Sequence, residues 1–342
     1  MNLLRLRDDT VWLEEMAGWV NESLAAHNAT RQSPPQEVRV MPWSAVYRFA
    51  TSGGDVYFKA CGPSQAHEPA LAAWLAAVRP DCMTPVWAAD PVRGWYLMPD
   101  GGPTLTSAIA TGGDEIAHWQ RVLALQANVQ RDLMPAAGEL LALGVLDRRP
   151  GRLPALFAAL LARPERLLVG EPDALTPDDV ARLHALLPRL TAVCDELAYI
   201  GPPDTFIHDD FHEDHIFAGR RPAGAWRYVF FDFGDACIGH PFMQLVSQPR
   251  FASNRFGIEI DPVQEELRES YLSHWQEFGA PATLQRALTL ALIAGCVIRA
   301  LTWVNACGAY LDEIPADLRS AYRSRLAFWM MQTAARISRL DE

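Results

Sequence analysis

Lysine is all but missing from this sequence: of 30 basic residues in 342, only Lys59 is a lysine and the rest are arginines. A compact ammonium with rotatable donors suits a bridge between a carboxylate and phosphate oxygens, which the planar fork of arginine reaches differently. The lone lysine therefore marks a place of interest, although a surviving surface lysine would look the same. Paired cysteines are missing too. Cys61, Cys82, Cys194, Cys237, Cys296 and Cys307 are scattered without any C-x-x-C spacing, which excludes a zinc ribbon and a disulfide framework and fits reduced thiols in a cytoplasm. The first residues carry Arg5, Arg7, Asp8 and Asp9 in place of an apolar signal core. The longest apolar run, 287–298, is too short to cross a bilayer and is expected to form a buried helix. Surplus positive charge is absent. A net charge of -11 argues against a nucleic-acid partner and is compatible with a cationic substrate. The expectation is a cytoplasmic protein with neither membrane nor nucleic acid as partner.

What remains is ordinary globular material, 50% hydrophobic and 21% charged, long enough for two lobes sharing a cleft. Thr10 is a candidate cap for a first helix whose stripe is Val11, Leu13, Met16, Trp19, Val20 and Leu24. Strands are expected at 38–41, 45–50 and 55–60, the last two joined through Ser52-Gly53-Gly54, and short strands at 85–87 and 95–98. Lys59 ends the third strand, and alternation leaves its direction open. The helix that follows carries Glu68 in its first turns, where it is placed either to pair with Lys59 or only to favour the helix dipole. Pro99-Asp100-Gly101-Gly102-Pro103 reads as the boundary between lobes, 1–99 and 100–342. Beyond it the pattern is helical, with a capped start at Thr176-Pro177-Asp178-Asp179, a break at Pro188, and late helices at 262–278, 282–307 and 315–340.

The chemistry concentrates in 206–235. Two apolar runs lead into His208-Asp209-Asp210 and into Asp232-Phe233-Gly234-Asp235, with a turn at 219–224 between them. A hairpin of this kind would aim Asp210 from one side and Asp232 from the other, one toward a hydroxyl proton and one toward a metal held by phosphates. His208, Asp210, His212, Asp214 and His215 are also dense enough in ligand types for a metal hydrolase. Solvated or core histidines are the plain alternative.

A lysine-bearing strand, a helix glutamate, a hinge, H-x-D and a strand ending in D-F-G-D-A-x-x-G together resemble the aminoglycoside phosphotransferase and choline-kinase-like family of small-molecule kinases, over about 38–245. The resemblance implies an α+β, bilobal protein-kinase-like fold with a small antiparallel-sheet N-lobe and a large, mainly helical C-lobe carrying the hairpin. It implies ATP and Mg2+ as cofactors and a small-molecule hydroxyl as acceptor, aminoglycoside-, amino alcohol- or sugar-like. By position it makes Asp210 the catalytic base, Asp232 a metal ligand, Lys59 the phosphate ligand and Glu68 its partner. Met98, Pro99 and Gly101 become the adenine hinge, and Ser44 the polar residue of a nucleotide loop without glycine. The sequence departs from the family at His215, where an asparagine ligand is usual, and at His240 and Gln244, where aspartates are usual. An imidazole ligand points to Mn2+ as an alternative ion. A nucleotide-binding relative without catalysis is the alternative these departures raise.

Overall fold

The computed structural model describes residues 2–111, 114–221, 224–247 and 260–341. The chain divides into two compact units. One comprises Met1–Gly112, Leu143–Val145 and Glu213–Asp235, the other Gly113–Ala142, Leu146–His212 and Ala236–Glu342. The boundary placed at Pro99 from sequence thus lies further on, and the residues 213–235 group with the N-terminal unit.

In the first unit, β1 (Gln36–Val40), β2 (Ser44–Thr51), β3 (Gly54–Cys61), β4 (Ala88–Asp90) and β5 (Trp95–Pro99) form an antiparallel sheet in the order β1-β2-β3-β5-β4. Ser52 and Gly53 make the two-residue link from β2 to β3, and Gly54 takes φ +107°, open to glycine without strain. The strand expected at 85–87 forms three residues later. Pro85 has no N–H to give to a ladder, and before β4 begins Trp87 donates to the carbonyl of Leu97 (2.8 Å) while its own carbonyl meets the His27 ring instead of a strand (3.1 Å).

Helix α1 (Thr10–Ala25) covers this sheet. Its cap is Asp9 rather than Thr10, because the Asp9 carboxylate accepts from the N–H groups of both Val11 and Trp12. Most of the expected stripe holds: Leu13 and Trp19 are partly buried against the core, Val11 alone is exposed (73%), and the buried positions are Trp12, Met16, Val20 and Leu24. At four-residue spacing these side chains lie over one another and pack on Phe49, Phe58 and Trp95. Burial contributes about 1.5–3 kcal/mol for each large apolar side chain, so the stripe accounts for much of the attachment of α1. Helix α2 (Glu68–Val78) follows β3, with Leu71 and Leu75 buried and Val78 exposed. The same unit contains the hairpin of β8 (Ile216–Arg220) and β9 (Trp226–Phe230). Of the turn expected at 219–224, Pro222 and Ala223 lie outside the described residues.

The second unit is mainly helical. Thr176 forms the expected capping box with Asp179, and Pro188 sits at the start of a new helix, Leu187–Leu197, after Pro177–Ala185 ends. The run at 287–298 is the middle of a helix, Pro281–Cys307, long and apolar enough to cross a membrane, but 83% of its most apolar window is buried inside the fold, as a core helix requires. A small sheet of β6 (Leu146–Asp147), β10 (Cys237–Gly239) and β7 (Thr205–Ile207) completes the unit in that order. Here the sequence reading needs correction: Phe206 and Ile207 do not start the hairpin. They pair with β10, a three-residue strand too short to show any alternation, while β8 and β9 pair with each other. All six cysteines are buried, and none forms a disulfide among the described residues.

Candidate active site

Lys59 points inward. Strand β3 turns it to the side of α2, it is 3% exposed, and its Nζ lies 2.7 Å from Glu68 Oε2 and 2.7 Å from Asp232 Oδ1. Burial alone would push the ammonium down, but the two carboxylates more than reverse this and hold Lys59 well above the ordinary lysine range. Glu68 is the first residue of α2 and fully buried, so pairing and the helix dipole both apply. Its carboxylate also accepts from the Tyr96 hydroxyl (2.9 Å), the Phe233 N–H (3.0 Å) and the Cys61 thiol (3.2 Å). A buried charge is tolerated when its lone pairs are filled in this way.

Asp232 follows β9 in the left-handed region at φ +66°, a conformation that a non-glycine residue adopts only when its surroundings impose it. Its side chain is 35% exposed. Oδ1 faces Lys59, and Oδ2 lies 3.3 Å from His215 Nε2, so the carboxylate and the imidazole meet as two ligands of one ion could. His215 is steadied by a hydrogen bond from the Phe231 N–H to its carbonyl and by an edge contact with the Phe231 ring.

The hinge candidates line β5 and the chain after it. Met98 stands opposite Tyr57 and Pro99 opposite Val56, and the Asp100 N–H bonds to the Asp55 carbonyl (2.9 Å). Gly101 lies hard against Phe217: a Cβ there would come 2.1 Å from the ring, which in turn stacks on Phe231 at 4.1 Å between centroids. Ser44 opens β2 opposite Cys61. The turn before it is closed by Met41 N–H on the Ser44 carbonyl (2.7 Å) and tied to the N-terminus by Leu3 N–H on the Pro42 carbonyl (3.1 Å). Pro42 offers no N–H, so this loop grips less with backbone donors than a glycine-rich one would.

In the second unit, β7 is anchored through Gln130, whose amide donates to the Phe206 carbonyl and whose own carbonyl accepts from Thr205 Oγ1 (2.6 Å). The strand delivers His208-Asp209-Asp210. His208 is fully buried beside Phe211, and its N–H donates to Gln244 Oε1 at 3.0 Å. Gln244 therefore props this loop with a neutral amide oxygen, itself held by Gln126 (3.2 Å). His240 does not face the chemistry. It accepts the Phe242 N–H at the start of a short helix, and burial pushes its imidazole down to about 3. Of the histidine-rich cluster, Asp214 accepts from the Thr106 hydroxyl within the first unit.

Sequence reasoning missed the anchor of Asp210. Asp209, at φ +61° and 3% exposed, accepts from Thr302 Oγ1 (2.5 Å) and Arg299 Nη1 (3.1 Å), both on the helix Pro281–Cys307. Arg299 also donates to the Asp209 carbonyl (3.0 Å) and to Asp210 Oδ1 (3.3 Å). Burial pushes the Asp209 carboxyl up, and Arg299 and Thr302 draw it back. Asp210 keeps 29% of its side chain exposed, with Oδ2 3.6 Å from His212 Nε2. One signal was available: Arg299 interrupts an apolar helix, where a charge is retained only for a partner.

Residues 41–285 match the profile of the phosphotransferase enzyme family. No curated protein sequence matches the chain. Similar solved structures include macrolide 2'-phosphotransferase type I (15% identity, TM-score 0.56, covering 91% of this chain and 96% of that one). A choline/ethanolamine kinase family protein from Mesorhizobium loti is similar at 16% identity and TM-score 0.56, with 94% and 99% covered. The GDP complex of aminoglycoside 2'-phosphotransferase-IIIa is similar at 14% identity and TM-score 0.57, with 94% and 98% covered. At these identities the likeness is one of fold, the kinase-like α+β fold expected from sequence.

Proposed function

The chain belongs to the phosphotransferase enzyme family, and on that premise we propose that it moves the γ-phosphoryl group of ATP to a hydroxyl of a small molecule. The observation that carries the reading is the only lysine of the chain, buried between Glu68 and Asp232. Glu68 holds the ammonium, and the ammonium meets nucleotide phosphate oxygens as a point charge. Asp210 accepts the proton of the acceptor hydroxyl as its oxygen bonds to the γ-phosphorus, the bond to the β-phosphate oxygen breaks and ADP leaves. Arg299 holds the Asp210 carboxylate in place. Met98, Pro99 and Gly101 receive the adenine, and Ser44 contributes the hydroxyl of the loop over the phosphates.

The donor set of Asp232 and His215 fits one divalent cation, and such an ion would neutralise charge on the phosphates. Imidazole suits Mn2+ better than the harder Mg2+. The acceptor belongs to the aminoglycoside-, amino alcohol- or sugar-like compounds, a reading supported by the names of the structural neighbours. A chain with net charge -11 favours cationic members of that group. Acceptor choice is assigned to the helices between Thr104 and Ile200 and to the chain after Phe251, of which 252–259 lie outside the described residues.

The test is a thermal-shift panel of ATP, GTP and their diphosphates with Mg2+ or Mn2+, followed by phosphate transfer against a library of hydroxyl compounds. GTP belongs in the panel because one neighbour is a GDP complex. A nucleotide at a hundred times its Kd adds about 2.7 kcal/mol, and Lys59→Ala is expected to reduce that gain. A protein that no nucleotide stabilises would end this reading. One that binds nucleotide but transfers to no acceptor would be a nucleotide-binding relative.

A further inference from the structure

Gln65, His67 and Glu68 touch three successive residues of the loop that carries Asp232. Glu68 Oε1 accepts the Phe233 N–H at 3.0 Å. The His67 imidazole is hydrogen-bonded to the Phe233 backbone. Gln65 Nε2 donates to Asp235 Oδ1 at 3.2 Å, and the Gln65 amide lies flat against Gly234: a Cβ on Gly234 would sit 2.5 Å from Gln65 Cδ, 2.5 Å from Nε2 and 2.7 Å from Oε1. Gln65 is 3% exposed, at the end of the short turn Pro63–Gln65 that leads into α2. Its Oε1 is buried without a partner among the described residues. A buried amide oxygen without a partner is costly, so the side chain is kept there at some expense to the fold.

We propose that Gln65 is a positioning residue that locks the Asp232 loop to the start of α2 and so holds Asp232 in its metal-binding orientation. The inference deepens the phosphotransferase reading and rests on it for the metal. Glu68 fixes the near side of the loop through Phe233, and Gln65 fixes the far side through Gly234 and Asp235. Asp232, at φ +66°, is the residue just before the clamped three. A left-handed aspartate relaxes unless the chain on either side is held. On one side β9 holds it, and on the other the Gln65 clamp does. Glycine is required at 234 by contact and not by backbone angle, because its φ lies outside the left-handed region and the atoms a Cβ would meet all belong to Gln65. Since those atoms are the end of a flexible side chain, Gly234→Ala leaves the fold in place and displaces the amide.

Two readouts test the clamp, and the first needs no ligand. Amide hydrogen exchange of 232–235 in the ligand-free protein is expected to speed up in Gln65→Ala and in Gly234→Ala. Gly234→Ala is expected to add little on top of Gln65→Ala, since the atoms it strikes are gone. Gln65→Glu should loosen the loop further by facing two carboxylates, and combining it with Asp235→Asn should restore protection by reversing donor and acceptor. Unchanged exchange in Gln65→Ala, or additive effects of the first pair, would overturn the clamp. The second readout is the metal concentration that half-saturates nucleotide-dependent stabilisation, expected to rise about 10-fold in Gln65→Ala, as loss of an outer support does at metal sites, and to recover in the reversed pair. Exchange lost with metal dependence unmoved would overturn the positioning role. Should the natural protein show no metal-dependent nucleotide binding, the phosphotransferase reading fails and the metal-positioning role with it, while the exchange arm still decides the clamp.

Discussion

Each unit of this protein builds the same device from different parts. In the first, Lys59 joins a fully buried carboxylate, Glu68, to a partly exposed one, Asp232. In the second, Arg299 joins buried Asp209 to partly exposed Asp210. In both, the buried acid fixes the cation and the second acid keeps about a third of its side chain exposed. The difference lies in the cation and its reach. The ammonium is a point charge with rotatable donors, which in the proposed function meets phosphate oxygens. The guanidinium is fixed by three bonds to two residues and serves as a brace. The left-handed residue differs as well: it is the exposed acid in the first unit and the buried one in the second. Strain is placed where the surrounding bonds can hold it.

The sharpest way to break the comparison is to remove the exposed acids. Asp210→Asn is expected to leave nucleotide affinity near that of the natural protein and lower turnover by about 10²–10⁴-fold, whereas Asp232→Asn loses metal-dependent nucleotide binding. Calorimetric titration beside steady-state kinetics separates the two, and equal loss of binding in both variants would make Asp210 a metal ligand. Removing the cations comes next. Lys59→Met and Arg299→Met each strand a buried carboxylate, at a cost of about 3–5 kcal/mol in denaturant unfolding. Adding Glu68→Gln to the first and Asp209→Asn to the second should recover part of it. A cost under about 1 kcal/mol for Arg299→Met would mean that Thr302 and the backbone hold Asp209 without it.

Acid sharpens the parallel further, because each unit contains a buried histidine whose neutral form burial favours. Burial pushes His67 down to about 4 and His240 down to about 3. A base whose folded value lies below its ordinary 6.5 contributes stability that is complete above that pH and is lost as pH falls toward the folded value. At pH 5 each histidine should therefore have given up on the order of 2 kcal/mol. Asp204 runs the other way. Burial raises it to about 6, so its destabilisation is relieved on acidification from neutral pH. Unfolding followed between pH 7 and 4.5 should show a net fall in stability, and His240→Asn should flatten it in the second unit. A flat profile in the natural protein would show that neither histidine has to charge on unfolding. The smallest expected effect is at His215. His215→Asn should move the ion preference from Mn2+ toward Mg2+ by several-fold, since an amide oxygen is the harder ligand. An unchanged ratio with activity intact would remove His215 from the ligand set.

The first of the two devices was legible in the chain itself and the second was not. Lys59 stood out as a solitary lysine at the end of an alternating strand, Glu68 nine residues on at the start of a helix, and Asp232 in a run with its own signature; each is a local pattern. Even so, alternation could not say which way Lys59 points, and the helical period did not show that Trp12 rather than Val11 is buried. The brace of Arg299 on Asp209 spans ninety residues, and the pairing of β7 with β10 rests on three residues a side. Neither has a period or a spacing to read.

By itself, then, the sequence determined the classes of element, the kinase-like order of its parts and the identities of the acids and the lysine, because helix, strand and turn preferences are set within a few residues. Tertiary structure alone decided which acid is buried and which stays partly exposed. It also decided that Gln244 does the propping usual for an aspartate, that His240 is a cap, and that Gln65 lies on Gly234. Those outcomes depend on which distant side chains reach the same few cubic ångströms, and burial and hydrogen-bond partners exist only once the chain has brought them together.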